Sequence, residues 1–171
     1  MKNTLTLLSL MLIGFGQVSA QKFFTRTGNI TFFSSTPMED IKGENHQAGC
    51  IVNLENGEVA FTVMMKSFEF EKALMEEHFN EKYVESDKFP KATFKGNIQA
   101  KSFEDFKNDG EFPTMVAGEL IIHGVTQPIE VRGTITRKGE DMRLNAVFNI
   151  VLEDFDIKIP EVVKDKIAKE V

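Results

Sequence analysis

The amino-acid sequence predicts an all-β protein of antiparallel strands with two short helices. Short runs rich in Val, Ile, Thr and Phe recur along the chain, and several of them alternate apolar with polar residues, the period of a half-buried strand. Turn signals separate the runs, and the clearest is the dipeptide Asn56-Gly57. Many short strands with regularly spaced turns favour a sandwich or a barrel over βαβ units.

The N-terminus has the three-part pattern of a secretory signal peptide. Lys2 provides the positive charge, residues 5–16 form a short apolar run, and Val18-Ser19-Ala20 is a small-residue cleavage site. The apolar run is shorter than the about 20 residues that a membrane span needs. We therefore expect residues 1–20 to be a signal peptide and residues 21–171 to form one soluble domain.

Composition narrows the class of partner. The net charge is −6, and without Lys2 it is −7, which argues against nucleic acid and against anionic membrane surfaces. Cys50 is the only cysteine, so the fold has no internal disulfide and depends on packing. The aromatic residues are 16 Phe and one Tyr with no Trp, which disfavours carbohydrate binding and suits either a hydrocarbon guest or an ordinary core.

Seven strands and two helices are predicted in chain order. The strands are Arg26–Ser34, Gln47–Leu54, Glu58–Lys66, Phe94–Lys101, Met115–His123, Ile129–Arg137 and Asp141–Leu152. The second and third of them form a hairpin around Asn56-Gly57. Strong helix formers predict a helix over Phe70–Phe79, and Pro160 introduces a second helix over Glu161–Lys169.

Alternation assigns one face of each strand to the interior. In the sixth predicted strand Ile129, Val131 and Ile135 lie opposite Glu130 and Arg132. Small inward residues interrupt the bulky ones; they are Ala48, Gly133 and Ala146. An eight-stranded barrel is just wide enough to be filled by side chains or to hold one small ligand. The pattern alone leaves a packed core and a ligand cavity as equal alternatives.

Three longer motifs carry a family resemblance. The first lies in His78–Gly96 and contains Ser86-Asp87-Lys88-Phe89-Pro90-Lys91-Ala92-Thr93-Phe94. The second lies in Gly118–Ile129 and contains His123-Gly124-Val125-Thr126-Gln127-Pro128. The third lies in Phe148–Pro160 and is centred on Leu152-Glu153-Asp154-Phe155-Asp156-Ile157. Together they resemble the YceI-like family of exported lipid-binding proteins. The resemblance implies an extended eight-stranded antiparallel barrel of lipocalin-like shape that binds polyisoprenoid or other long apolar chains. It also implies a periplasmic location in a Gram-negative bacterium and no catalytic machinery.

The C-terminus departs from the family pattern. Family chains continue beyond the region matching Ile167-Ala168-Lys169 into a last strand that closes the barrel, whereas this sequence reaches only Val171. We therefore expect the closing strand to be missing or reduced to a stub. Because an unclosed sheet edge invites pairing with another chain, a homodimer is one expectation.

Inward-facing positions define the predicted ligand site. The eleven candidates are Cys50, Val52, Phe61, Val63, Phe94, Leu120, Ile122, Ile129, Val131, Phe148 and Ile150. His123 is a candidate contact for the head group of the ligand, although its place beside Gly124 favours a structural hydrogen bond. The segment Tyr83–Pro90 is either a surface loop or, together with the first helix, a lid over the cavity.

No residue set predicts catalysis, a cofactor or a metal site. His46, His78 and His123 lack metal-ligand spacing, and His78 is placed to cap the first helix. Asp154 and Asp156 fit turn and cap roles better than acid–base work. We therefore predict a non-catalytic carrier for a lipid-like small molecule. The alternative is a protein-interaction or self-associating module with an open C-terminal sheet edge, a filled barrel and no ligand.

Overall fold

The structure is a computed structural model that describes residues 22–163 and 165–171. The predicted signal peptide, residues 1–20, lies outside the described residues.

The described chain contains eight strands and one short α-helix. The strands are β1 (Lys22–Ser35), β2 (Asp40–Asn53), β3 (Glu58–Met64), β4 (Glu69–Phe70), β5 (Lys91–Gln99), β6 (Gly110–Ile122), β7 (Val125–Lys138) and β8 (Asp141–Ala146). The helix α1 (Ala73–His78) continues into a π-helical turn, Phe79–Tyr83. Short 3₁₀ turns lie at Met65–Ser67, Asp105–Lys107, Leu152–Phe155 and Glu161–Val163.

The strands form one antiparallel meander that curls into a nearly closed barrel. Neighbours follow the order β1-β2-β3-β5-β6-β7-β8, and β4 pairs with β2 beside this path. The ladder between β6 and β7 runs from Gly110↔Arg137 to Ile122↔Val125. The excursion through α1 separates β3 from β5 in sequence, yet these strands pair directly. The all-β barrel predicted from the sequence is confirmed, and β1 and β8 are the two ends of its hydrogen-bonded path.

The predicted inward faces are the buried faces of the strands. Val52, Val63 and Leu120 are buried. Their chain neighbours Ile51 and Met64 are exposed, because successive side chains point to opposite faces of a strand. The predicted phase of these strands is therefore confirmed.

The C-terminal part of the chain differs from the prediction. The ladder between β7 and β8 ends at Gly133↔Ala146, so β8 is shorter than the predicted Asp141–Leu152. The predicted helix over Glu161–Lys169 is wrong, because only the 3₁₀ turn Glu161–Val163 forms among its described residues. At the end of the predicted helix, Lys169 accepts a hydrogen bond from the amide of Leu152, and this strand-like pairing is incompatible with the local hydrogen bonds of a helix.

Residues 168–171 form a stub of the closing strand. The amide of Ile150 donates to the carbonyl of Val171 at 2.7 Å, and the amide of Val171 donates back at 2.9 Å. The amide of Leu152 donates to the carbonyl of Lys169 at 3.0 Å. On its other side the stub reaches β1, where the amide of Ala168 donates to Ser34 Oγ at 2.8 Å. The stub therefore joins the two open sides of the barrel at one end only.

The turn between β2 and β3 requires a glycine. Gly57 has a φ of +74°, and its amide donates to the carbonyl of Asn53 at 2.8 Å. A Cβ at this position would lie 2.4 Å from the ring of Phe103. Both the left-handed backbone and the close packing therefore exclude other residues from the predicted Asn56-Gly57 turn.

A buried asparagine holds β2 against β3 beyond their ladder. The direct pairing spans Gly49↔Thr62 to Val52↔Val59. Nearer the start of β2, Asn45 is 0% exposed. Its Nδ2 donates to the carbonyl of Met64 at 3.1 Å. Its Oδ1 accepts from the amide of Gln47 at 2.9 Å. The side chain thus replaces ladder bonds where the strands diverge.

Replacing Asn45 with Ala should lower the free energy of unfolding by about 1–3 kcal/mol, because buried backbone groups lose their partners. Urea denaturation measures the change. The matched control is Asn149→Ala, since Asn149 is exposed and its Nδ2 lies 3.4 Å from Glu170 Oε2. Equal stability of the two variants would contradict the role given to Asn45.

Candidate ligand-binding site

An apolar cavity of about 1760 Å³ occupies the interior of the barrel. All eleven predicted site residues line it. They are Cys50 and Val52 on β2, Phe61 and Val63 on β3, Phe94 on β5, Leu120 and Ile122 on β6, Ile129 and Val131 on β7, and Phe148 and Ile150 after β8. The interior is therefore not the filled barrel of the alternative hypothesis. That these residues contact a ligand stays a prediction.

The walls of the cavity are chemically uniform. No charged side chain lines the cavity from the five strands β2, β3, β5, β6 and β7. Phe61 and Phe94 stack on adjacent strands with their ring centroids 5.2 Å apart. Burial raises the pKa of the Cys50 thiol and of the Tyr83 phenol, both of which line the cavity. Such surroundings can solvate a hydrocarbon but not an ion.

Three phenylalanines close one end of the barrel. Phe106, on the 3₁₀ turn between β5 and β6, is buried and meets Phe112 edge-on with centroids 5.4 Å apart. Its other neighbour is Phe103, at 6.0 Å. None of the three lines the cavity. Phe103, Phe106 and Phe112 therefore form a solid floor.

Four other phenylalanines, which we call the aromatic cap, cover the opposite end. Phe32 stacks on Phe79 at 5.4 Å and meets Phe68 and Phe70 edge-on at 5.5 and 5.7 Å. All four line the cavity. Because Phe79 follows α1, the helical segment contributes directly to the closure of this end.

The predicted lid segment divides into two parts. Tyr83 and Val84 line the cavity, so the start of the segment continues the aromatic cap. Residues 85–90 do not line it and instead pack on the outside of the barrel end. The start of α1 is held by an ion pair between Lys72 Nζ and Glu39 Oε1 at 3.0 Å, whose hydrogen bond raises the pKa of Lys72.

The cavity opens sideways, between β1 and β8. In a closed wall only inward side chains border the interior, because successive residues face opposite sides. Here every residue of 27–34 and of 140–150 borders the cavity, whichever side of its strand it occupies. The cavity therefore reaches the free edges of both strands. We call this opening the lateral window.

Contacts across the seam limit the lateral window at both ends. At the floor end the guanidinium of Arg137 lies over the ring of Phe23, 4.8 Å from its centroid. At the cap end the stub of residues 168–171 joins Ser34 to Ile150. Between these bridges no pairing joins β1 to β8 in the part of the chain that the structure describes. The window is thus a slot along the barrel wall.

A histidine outside the cavity ties three loops together, and we call it the His123 junction. His123 Nε2 lies 2.9 Å from Glu85 Oε2, and its Nδ1 lies 3.1 Å from the carbonyl oxygen of Phe155. Glu85, His123 and Asp156 have φ values of 44°, 52° and 54°, and they are the positive-φ residues other than glycine in the described chain. Two of these left-handed residues therefore belong to the junction, and the third directly follows Phe155.

The His123 junction combines polar contacts with ring packing. Both ring nitrogens of His123 face oxygen atoms, those of the Glu85 carboxyl and of the Phe155 carbonyl. Phe89 packs edge-on against the ring at 4.4 Å. The hydrogen bond from His123 lowers the pKa of the Glu85 carboxyl, and the attraction of Lys88 adds to the effect. The geometry gives His123 a structural role, while the head-group contact stays a prediction.

The other candidate polar residues lie in ordinary surroundings. His78 is the last residue of α1, and His46 Nδ1 lies 2.7 Å from Asn29 Oδ1. Asp154 and Asp156 are exposed in the turn after Leu152. Among the residues with assigned structure, no group of three or more His, Cys, Asp or Glu side chains could hold a metal ion. No helix of residues 22–163 and 165–171 is long and apolar enough to cross a bilayer.

Sequence reasoning missed the aromatic cap and the β1 side of the window. Phe32 and Ile30 lie inside a predicted strand, and their alternation could have placed them in the lining. Phe68 and Phe70 also alternate, but they stand outside the predicted strands. The contact between Glu85 and His123 joins residues 38 apart, and no local pattern indicates it.

These features define a class of protein: a small antiparallel barrel with an apolar cavity that is capped at both ends and open at one side. The chain belongs to the YceI-like family, since the model of the YceI-like domain matches residues 16–171. The resemblance inferred from the three sequence motifs is thereby confirmed.

Curated relatives match part of the chain. A UPF0312 protein of Pseudomonas putida is 31% identical over 84 residues, which cover 46% of this chain and 40% of the relative. A UPF0312 protein of Pseudomonas syringae pv. tomato is 30% identical over 92 residues, which cover 50% and 44% of the two chains. The matched region thus spans less than half the length of these relatives.

Solved structures share the fold at low sequence identity. A polyisoprenoid binding domain from Saccharophagus degradans matches with a TM-score of 0.69 and 13% identity over 81% of this chain and 82% of that one. BcnA of Burkholderia cenocepacia matches with a TM-score of 0.56 and 16% identity over 86% and 80%. A YceI protein of Campylobacter jejuni matches with a TM-score of 0.55 and 13% identity over 100% and 92%.

The lowered pKa of Glu85 makes the stability of the His123 junction depend on pH. A carboxyl whose pKa is lower in the folded state stabilises the fold above its unfolded pKa of about 4.3 and loses that effect as pH falls through the lowered value. Glu85→Gln should therefore be less stable than the parent at neutral pH, and the difference should vanish in acid. Urea denaturation at a series of pH values measures it, with the exposed Glu111→Gln as control. A difference that does not change with pH would contradict this account.

Proposed function

We propose that this protein binds a long apolar molecule, such as a polyisoprenoid or a fatty-acyl chain, inside its barrel and carries or buffers it without catalysis. The observation that carries the proposal is the cavity of about 1760 Å³ with uncharged walls. Ordinary small-molecule pockets measure about 300–1,000 Å³. The larger volume and the elongated barrel favour a chain over a compact ligand.

Desolvation supplies the affinity in this proposal. Each methylene group that moves from water into apolar surroundings contributes about 0.8 kcal/mol. A chain of many carbons therefore binds tightly without polar anchors, which agrees with walls made of Val, Ile, Leu and Phe. Charged residues border the cavity only at its rim, where a polar end group of the ligand would remain in water; they include Glu39, Lys72, Asp141, Arg143 and Lys166.

A structure with the same fold supports the proposed ligand class, and the N-terminal sequence pattern supports the proposed location. The Saccharophagus degradans structure with the same fold is described as a polyisoprenoid binding domain. The sequence pattern of residues 1–20 supports export to the periplasm of a Gram-negative cell, with residues 21–171 as the mature domain. A periplasmic binding protein would keep such a chain out of water while it moves between membranes.

Self-association is the second candidate function, and the free edge of β1 favours it. This edge strand has 14 residues, and its outward Phe24 and Phe33 are exposed. An exposed apolar edge strand can pair with a second copy of the chain. Sedimentation of the protein with and without an added closing strand separates the two functions, because only a dimer that forms through this edge is abolished by the added strand.

A charge placed inside the cavity should abolish ligand retention. Val131→Arg and Ile150→Arg each direct a guanidinium into the apolar lumen, where an unpaired charge is strongly disfavoured beside hydrocarbon. We expect the fluorescence of a bound anthroyloxy-labelled palmitate to be lost in both variants.

The matched control is Glu130→Arg, which adds the same side chain on the outer face of β7 beside Val131. It should retain the probe like the parent protein. Circular dichroism and urea denaturation establish that all three variants are folded. Retention of the probe by folded Val131→Arg and Ile150→Arg variants would contradict the proposed site.

A further inference from the structure

The position of the lateral window points to where the ligand comes from. The floor and the aromatic cap close both ends of the barrel, so a guest reaches the interior through the slot between β1 and β8. We propose that the rim of the lateral window docks on the surface of a lipid bilayer, so that an apolar chain passes sideways from the bilayer into the barrel. This inference rests on the proposed function and adds to it a partner surface and an entry path.

The rim is apolar on its outer side. Phe24 on β1 and Ile51 on β2 are cross-strand neighbours that both face outward, and they are 78% and 57% exposed. On the other side of the window Val147 is 88% exposed. Phe24 and Val147 also border the cavity. Apolar surface is therefore continuous from the outside of the barrel, across the rim, into the lumen, as a hydrocarbon chain leaving a bilayer requires.

The charges of the rim suit anionic lipid head groups. The whole chain has a net charge of −6, yet β1 carries Lys22 and Arg26 and no acidic residue. Across the window, residues 144–152 carry no charge at all and follow Arg143. Glu140 and Asp141 lie in the β7–β8 turn at the floor end of the rim. At its cap end, Glu39 is paired with Lys72, and Glu170 lies beside Asn149. The middle of the rim is thus locally basic in an acidic protein, and basic residues next to apolar anchors favour anionic membrane surfaces.

The edge of β1 suits a bilayer better than a second copy of the chain. Its pairing with β2 shifts register twice, between Thr25 and Gly28 and again between Gly28 and Ile30. Bulges of this kind twist an edge strand and discourage further strand addition. A second copy on this edge would also cover the lateral window. The bilayer is therefore the occupant that agrees with both the irregular edge and the open cavity.

The test compares capture of a probe from vesicles with binding of the same probe in solution. The probe is anthroyloxy-labelled palmitate, and the vesicles contain equal parts of phosphatidylethanolamine and phosphatidylglycerol. The variants are Ile51→Ser and Arg26→Glu, both at outward residues that do not line the cavity. Their matched controls lie on strands farther from the window, and they are Ile121→Ser on β6 and Lys95→Glu on β5.

We expect transfer from the vesicles to slow about tenfold in Ile51→Ser, the factor that loss of one large apolar anchor gives. Arg26→Glu should slow transfer by a similar factor at low salt and by less at high salt, where head-group attraction is screened. The affinity for the probe in vesicle-free solution should not change in these variants, and both controls should transfer the probe like the parent.

Each other outcome has a distinct meaning. Normal transfer by Ile51→Ser and Arg26→Glu, or equal slowing in their controls, overturns the docking surface and leaves the ligand site intact. A dimer of the parent that dissociates in Ile51→Ser shows that a second copy occupies the rim, and it also overturns the inference. Failure of the parent to bind the probe without vesicles removes the proposed function and the inference together.

Discussion

The absence of pairing between β1 and β8 determines how the rest of this barrel works. Every other neighbouring pair in the path is joined by a backbone ladder, which supports the wall whether or not the interior is filled. At the seam, the Arg137–Phe23 contact and the stub of residues 168–171 hold the two sides together. A barrel that were closed on all sides, with both ends packed by phenylalanine, would have no route for a guest to enter. Under the proposed function, the unpaired seam is that route.

Phenylalanine serves opposite purposes at the two ends. In the floor, Phe106 packs against Phe103 and Phe112 and leaves no space. In the aromatic cap, Phe32 and Phe79 stack so that their rings form a ceiling over empty volume. An empty apolar cavity stays dry and deprives its lining atoms of contacts, so a hydrocarbon guest that restores those contacts stabilises the folded state. Under the proposed function, ligand binding would therefore raise the folding stability of this molecule.

The sequence predicts the features that depend on local periodicity. The inward phase of Cys50 and Val52, or of Ile129 and Val131, follows from alternation alone, because the geometry of a strand fixes it. Whether the centre of the barrel is filled or empty depends on how the ends of the barrel are packed. The aromatic cap at one end is assembled from segments far apart in the chain, which local periodicity does not bring together. This is why the pattern could predict the lining but not the cavity.

The failed prediction at the C-terminus has the same cause. Residues 161–169 contain adequate helix formers, but the amides of Ile150 and Leu152 take carbonyl partners from residues 169–171, and this pairing overrides local preference. The His123 junction is likewise invisible to local patterns, since its partners come from three separate loops. The junction holds residues 85–90 on the outside of the barrel end, while Tyr83 and Val84 line the cavity. The capped end of the barrel is therefore supported by contacts other than those that cross the seam.

Native mass spectrometry of the protein, purified from a Gram-negative periplasm without organic solvent, tests the central claim most directly. If the cavity holds a long apolar chain, the intact protein carries a discrete extra mass, and organic extraction removes that mass and yields a lipid-like molecule. The Val131→Arg variant prepared in parallel should show the bare chain mass. A parent protein that carries no extra mass, and takes up none when incubated with polyisoprenoid or fatty-acyl lipids, would contradict the account.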